Sequence, residues 1–142
     1  MATRRRISLT LRRSLAIEAG YACSYCRSPE MAGIAMATDH IIPLSQGGSH
    51  DKTNLCQACY RCNAFKGTFT HAFDALTEQV VPLYHPKQQV WAEHFAWTSD
   101  GLQIVGLTAQ GRATIAALRM NDPWVTQARQ IWILAGIHPP LD

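Results

Sequence analysis

Charged residues make up only 16% of this 142-residue chain, against 47% hydrophobic. Chains that stay disordered show the reverse balance, so the composition argues for a packed fold. Long apolar runs are also missing: nothing approaches the roughly 20 apolar residues of a membrane span. The opening stretch MATRRRISLTLRRS carries charge without an apolar segment, so it does not read as a secretory signal. Internal repeats and low-complexity segments are absent. No cysteine lies beyond Cys62, and the five present, an odd number, crowd into residues 23–62. These absences point to a cytoplasmic chain with reduced thiols, whose cysteines bind metal rather than form disulfides. The length suits one domain, or a small domain with an appendage.

The charge that is present is unevenly placed. Residues 1–72 hold nine Lys/Arg against four acidic residues, Glu18, Glu30, Asp39 and Asp51. Residues 73–142 hold four Lys/Arg against six acidic residues. The basic half is the half with the cysteines, which favours a polyanionic partner for it.

Three regions follow from the pattern. Residues 1–9 are read as a basic, flexible tail, with Arg4–Arg6 available for salt-sensitive attraction to phosphates. Residues 10–72 hold the cysteines, preceded by a helix in TLRRSLAIEAG that Thr10 could cap and Gly20 could end. Residues 73–142 are expected to form an extension packed on the core, a β-hairpin followed by two helices. In it VWAEHFAW alternates, putting Trp91, Phe95 and Trp97 on one face of a strand, with LQIVGL returning after the TSDG turn. One helix starts at Thr108 and another at Asp122-Pro123, with Trp124, Ala128, Ile131 and Ala135 sharing a face. No catalytic cluster stands in this half.

Cys23-x-x-Cys26 and Cys59-x-x-Cys62 bracket the 32 residues 27–58. Each CxxC folds into a tight turn that aims two sulfurs at one ion, and two turns complete the tetrahedron that zinc prefers. Cys56 stands three residues before Cys59 and is read as a small buried hydrophobe. The interval is longer than a compact zinc ribbon needs, so a substructure belongs between the knuckles. It runs TDHIIPLSQGGSHDKTNL: a strand through Asp39-His40 to Pro43, a turn at Gly47-Gly48, and a return through Asn54 to the second knuckle. Asn63 follows Cys62 directly, and Lys66 lies one turn further. Strand, loop, strand and helix in that order make a ββα unit clamped by zinc.

The series C-x-x-C, D-H-I-I-P, G-G, N-L, C-x-x-C-N-x-x-K, from Cys23 to Lys66, resembles the HNH endonuclease family and its ββα-metal fold. Here the third family position is Asn63, an H-N-N variant. The Cys, Asp-His and Asn arrangement is also similar to a phage resolvase that cuts branched DNA. Flanking segments extend the likeness to small bacterial HNH proteins over roughly residues 10–140. The resemblance implies an α+β fold and a metal-dependent endonuclease acting on DNA, double-stranded or branched, with RNA left open.

It also implies roles. His40 resembles the general base, since a neutral imidazole can take a proton from water near pH 7. Asp39 and Asn63 look like ligands of a catalytic Mg²⁺ or Mn²⁺, which prefer such hard oxygen donors. Cys23, Cys26, Cys59 and Cys62 would hold structural zinc, which would place Asn63. Asn54 resembles the middle Asn that holds the loop and helps orient the base. Arg27, Arg61 and Lys66 are phosphate-binding candidates. His50 lies close enough in the loop to approach the site, whereas His71, His85, His94 and His138 read as surface or packing residues. The rival reading is a zinc-stabilised nucleic-acid-binding module without cleavage. One site cuts one strand, so cutting both strands would need a dimer or two encounters.

Overall fold

The computed structural model describes residues 7–31 and 34–140, so the expectations for Arg4–Arg6 lie outside the described residues. It divides into two compact units, one running to Thr70 and including His85–Lys87, the other made of His71–Tyr84 and the chain from Gln88 onward. Among the described residues no helix is long and apolar enough to cross a membrane.

The first unit opens with α1 (Leu9–Glu18). Its cap is Ser8, not the expected Thr10: the Ser8 hydroxyl accepts the Leu11 N–H at 3.1 Å, so the helix starts one half-turn earlier. Such a cap satisfies an orphan donor of the first turn. Gly20, at φ +64°, closes the other end. The chain then makes the first knuckle, fixed to the next strand pair by Ser24 N–H to Gln57 O (2.9 Å) and Gln57 Nε2 to Ala22 O (3.2 Å).

Strands β1 (Met36–His40) and β2 (Leu55–Cys59) pair antiparallel, with Asp39 opposite Cys56 and His40 opposite Leu55. Helix α2 (Tyr60–Lys66) follows at once, completing the expected ββα order. The intervening loop contains two short 3₁₀ turns, Leu44–Gln46 and Lys52–Asn54. Its tightness explains the glycine pair. A Cβ on Gly48 would lie 1.7 Å from the Ile42 carbonyl oxygen, and Gly47 holds φ +87°.

The second unit has one hairpin more than expected. Strands β3 (His71–Asp74) and β4 (Gln79–Pro82) pair before the Pro-containing stretch that reads as loop in sequence. VWAEHFAW is not one strand. A helical turn, α3 (Trp91–His94), precedes β5 (Phe95–Trp97), which pairs with β6 (Ile104–Gly106). Trp91 and Phe95 are four apart, a spacing that a helical turn also brings together. Their rings meet at 5.1 Å and Trp91 reaches Trp97 at 5.6 Å, so the three aromatics cluster even though the backbone differs.

Helix α4 (Ala109–Leu118) is capped by Thr108, whose hydroxyl accepts the Gly111 N–H at 3.0 Å. Helix α5 (Pro123–Leu134) begins with Pro123 in its first turn. Its inward face is Val125, Arg129 and Trp132, not the expected stripe: Trp124 is 79% and Ile131 65% exposed. Arg129 drew the helix round. Its buried guanidinium donates to the carbonyls of Leu102 (2.9 Å) and Met120 (2.6 Å) and to Asn121 Oδ1 (3.1 Å), and lies over Trp97. His138 is buried too, its Nε2–H donating to the Gly101 carbonyl at 2.8 Å, a packing role.

Candidate active site and metal centre

The metal centre is built by two turns of similar shape. In each, a backbone N–H points at the first cysteine: Cys26 N to Cys23 Sγ at 3.5 Å, and Cys62 N to Cys59 Sγ at 3.4 Å. All four sulfurs, on Cys23, Cys26, Cys59 and Cys62, are buried and lie within 4.8 Å of one another. The Cys26–Cys59 separation is 3.7 Å. Zinc with about 2.3 Å bonds to four sulfurs has tetrahedral edges of about 3.8 Å, so the set fits zinc. The thiol electrostatics agree. Hydrogen bonds from Cys23 pull Cys26 and Cys59 below the ordinary thiol range, while burial pushes Cys23 up and its neighbours push Cys62 up. Four buried sulfurs this close could all ionise only around a cation. Ser28 adds a hydroxyl 3.1 Å from Cys26 Sγ, a contact not read from the sequence.

Cys56 stays outside this cluster. It is buried on β2, facing Asp39 across the ladder, and its thiol donates to Asp39 Oδ2 at 3.9 Å. Burial, and then the Asp39 charge, push that thiol up to about 12. It is a neutral neighbour of a carboxylate rather than a purely apolar filler.

Asp39 and His40, adjacent on β1, point to opposite sides as strand geometry requires. Asp39 is buried. Its Oδ2 accepts the Tyr25 hydroxyl at 2.6 Å, and its Oδ1 pairs with the Lys66 ammonium at 3.2 Å. The same ammonium donates to the His40 backbone carbonyl at 3.1 Å, tying both residues of the dipeptide to α2. Burial raises the Asp39 carboxyl above its usual range, opposed by Lys66 and Tyr25. Burial also raises Tyr25 well above the phenol range, so it is a donor throughout neutral pH.

Between β1, the loop and α2 lies a cavity of about 650 Å³. Asp39, His40, His50 and Asn63 all line it, with Thr38 and Thr68. Asn63 is placed there because it follows a sulfur of the metal centre in the first turn of α2. Asn54 stands behind the loop. Its amide spans Ile42, accepting the N–H and donating to the C=O, both at 2.9 Å, and donates to Ser49 O at 2.9 Å. Within that frame His40 Nε2 meets His50 Nδ1 at 3.2 Å, the rings edge to face.

The structure thus brings together Asp39, His40 and Asn63 on one cavity, with Asn54 bracing its loop. It does not bring Arg27, Arg61 or Lys66 to the lining. Lys66 is 1% exposed and turned inward to Asp39, whereas a phosphate contact needs a surface ammonium. Arg27 and Arg61 are half-buried beside the two cysteine turns. Sequence reasoning missed Tyr25, though its place inside Cys23-x-x-Cys26 fixes it beside the metal centre. It also missed the inward role of Lys66, whose position at the end of the second CxxC helix looks like surface charge.

The sulfur cluster and the ββα unit lie within a segment that matches a known family. The family model described as HNH endonuclease matches residues 23–69. No curated protein and no solved structure gives a significant match to the chain. The matched segment contains both cysteine turns, Asp39-His40, Asn54, Asn63 and Lys66. Residues 23–69 thus match the HNH endonuclease family, and the four-cysteine cluster within them fits its zinc-knuckle type.

Proposed function

We propose that this protein is a metal-dependent HNH endonuclease that hydrolyses phosphodiester bonds in DNA. The observation that supports it most is the convergence of Asp39, His40 and Asn63 on one cavity within the matched segment. Hydrolysis of a phosphodiester is slow because an anion repels hydroxide. The site answers with a base and a cation. His40 accepts a proton from water as its oxygen attacks phosphorus, and the bond to the 3′ oxygen breaks. Asp39 and Asn63 would hold a Mg²⁺ or Mn²⁺ ion, which would supply positive charge to offset the charge that develops on the departing 3′ oxygen before solvent protonates it. The donor set suits such an ion, since a carboxylate and an amide oxygen are both hard ligands. Asn54 holds the loop while the charge shifts. The basic balance of residues 1–72 suits a polyanion.

One observation favours a second reading, a zinc-stabilised nucleic-acid-binding module without cleavage. Asp39 is 3% exposed and its carboxylate already serves Tyr25, Cys56 and Lys66. The experiment that separates the two uses zinc-loaded protein and supercoiled plasmid, with and without added Mg²⁺ or Mn²⁺, zinc content being checked after each step. Nicking or linearisation only with the added ion, abolished in Asn63→Ala, supports the nuclease. Retention of DNA without cleavage under every ion supports the module.

A further inference from the structure

His50 belongs to no part of the roles above, yet it lies in hydrogen-bond contact with the His40 ring. Its Nδ1 lies 3.2 Å from His40 Nε2, with the rings edge to face at a centroid distance of 5.1 Å. The contact is built rather than incidental. Asn54 grips Ile42 two residues after His40 and Ser49 one residue before His50, all at 2.9 Å. The Ser49 hydroxyl accepts the Asp51 N–H at 3.2 Å on the far side of His50. Gly48 lets the loop close to a distance no side chain would tolerate. One asparagine therefore sets the separation of two imidazoles.

The chemistry fixes the direction of that hydrogen bond. A neutral imidazole has one N–H and one lone pair. If His50 donated to His40 Nε2, the His40 lone pair would be spent and no nitrogen could take a proton from water. For His40 to act as a base, it must donate from Nε2, and His50 must accept at Nδ1. We propose that His50 is a positioning residue that accepts the His40 Nε2–H, locking the tautomer in which His40 Nδ1 is the proton acceptor. His50 then keeps its own proton on Nε2. This rests on the nuclease reading for its purpose, but the hydrogen bond itself does not need catalysis to be seen.

Two measurements on the zinc-loaded full chain test it. The first is nitrogen-15 NMR of the imidazoles in Mg²⁺ buffer, above the ordinary histidine pKa, in wild type, His50→Ala and His50→Asn. Wild-type His40 is expected with a protonated Nε2 and a pyridine-like Nδ1, and His50→Ala is expected to mix the tautomers. A lone pair on His40 Nε2 in wild type, or a tautomer indifferent to His50→Ala, overturns the proposal. The second is steady-state cleavage. His50→Ala should lower kcat by roughly 10- to 100-fold, as loss of an orienting partner does elsewhere, with KM unchanged. His50→Asn, whose amide oxygen replaces Nδ1 as acceptor, should restore most of it. Unchanged kcat, a loss carried by KM, or Asn no better than Ala at equal thermal stability contradicts the proposal. A wild type that cuts nothing refutes the nuclease reading alone, and the NMR result still decides the histidine pair.

Discussion

In the first unit the buried side chains include Tyr25, Lys66, Asp39 and five cysteines, while Leu15, Ile41 and Leu55 supply its larger aliphatic content. In the second the large ones are Trp91, Phe95, Tyr84, Ile104, Leu118, Met120 and Trp132, with Asp74, Thr114, Arg129 and His138 as buried polar residues among them. The first interior is polar and is organised by sulfurs that need a cation. The second is an ordinary apolar core, where burying one large side chain contributes about 1.5–3 kcal/mol. A small unit with little apolar content gains stability from metal instead. The difference explains where chemistry can sit. A carboxylate and two imidazoles border a cavity whose strands and helix are joined by the four-cysteine cluster rather than by close apolar packing alone.

The sharpest way to break this comparison is to remove zinc. Structural zinc contributes on the order of 10 kcal/mol to small domains, so its loss should unfold the first unit outright. All four tryptophans, at 91, 97, 124 and 132, lie in the second unit. Stripping the metal, or substituting Cys59→Ser, should therefore abolish the amide signals of residues 23–69 and leave tryptophan emission unchanged. Emission that moves together with those amides would show that the second core also depends on zinc.

The converse perturbation is Phe95→Ala. Phe95 is 1% exposed and stacks against Trp91 and Tyr84, each at 5.1 Å. Truncation should cost about 3–5 kcal/mol, read as a lower denaturation midpoint by tryptophan emission, with one zinc still bound per chain. Loss of the zinc would erase the distinction between the units.

Much of the first unit was legible because its chemistry resides in residue types at short spacing. Cys23-x-x-Cys26, Cys59-x-x-Cys62, Asp39-His40 and Gly47-Gly48 each dictate a local geometry that survives in the fold. What could not be read depends on tertiary placement. Lys66 looks like surface charge until β1 supplies a carboxylate behind it. His50 meets His40 only because Asn54 closes the loop between them. In the second unit, the apolar stripe of α5 suggested one inward face, but three backbone and side-chain acceptors around Arg129 selected another. Buried acceptors left unpaired cost about 1–3 kcal/mol each, enough to outweigh an exposed Trp124. The four-residue spacing of Trp91 and Phe95 fits a strand face and a helical turn equally well, so only the neighbours decide.

A smaller effect concerns an ion pair of the second unit, Arg112 with Asp74. Arg112 Nε and one terminal nitrogen grip both oxygens of Asp74 at 3.0 and 3.1 Å, and Thr77 adds two more donors. The guanidinium, then Thr77, hold the Asp74 carboxyl well below the usual carboxylate range. A depressed folded-state pKa contributes stability that is present above the unfolded value, near pH 4, and lost as pH falls through the folded one. Arg112→Gln should thus destabilise at neutral pH, with a penalty that begins to shrink as pH falls below about 4 and keeps shrinking toward the lower folded-state value, followed by urea midpoints across pH. A penalty that persists in acid would assign the effect to packing rather than charge.

The most direct test of the central claim compares wild type with His40→Ala on one labelled duplex, both zinc-loaded and at protein concentrations giving equal DNA occupancy. With Mg²⁺ or Mn²⁺ present, the account expects wild type to cut and His40→Ala to cut roughly 10²- to 10⁴-fold more slowly, the usual weight of a general base. Cleavage by His40→Ala at the wild-type rate would contradict it.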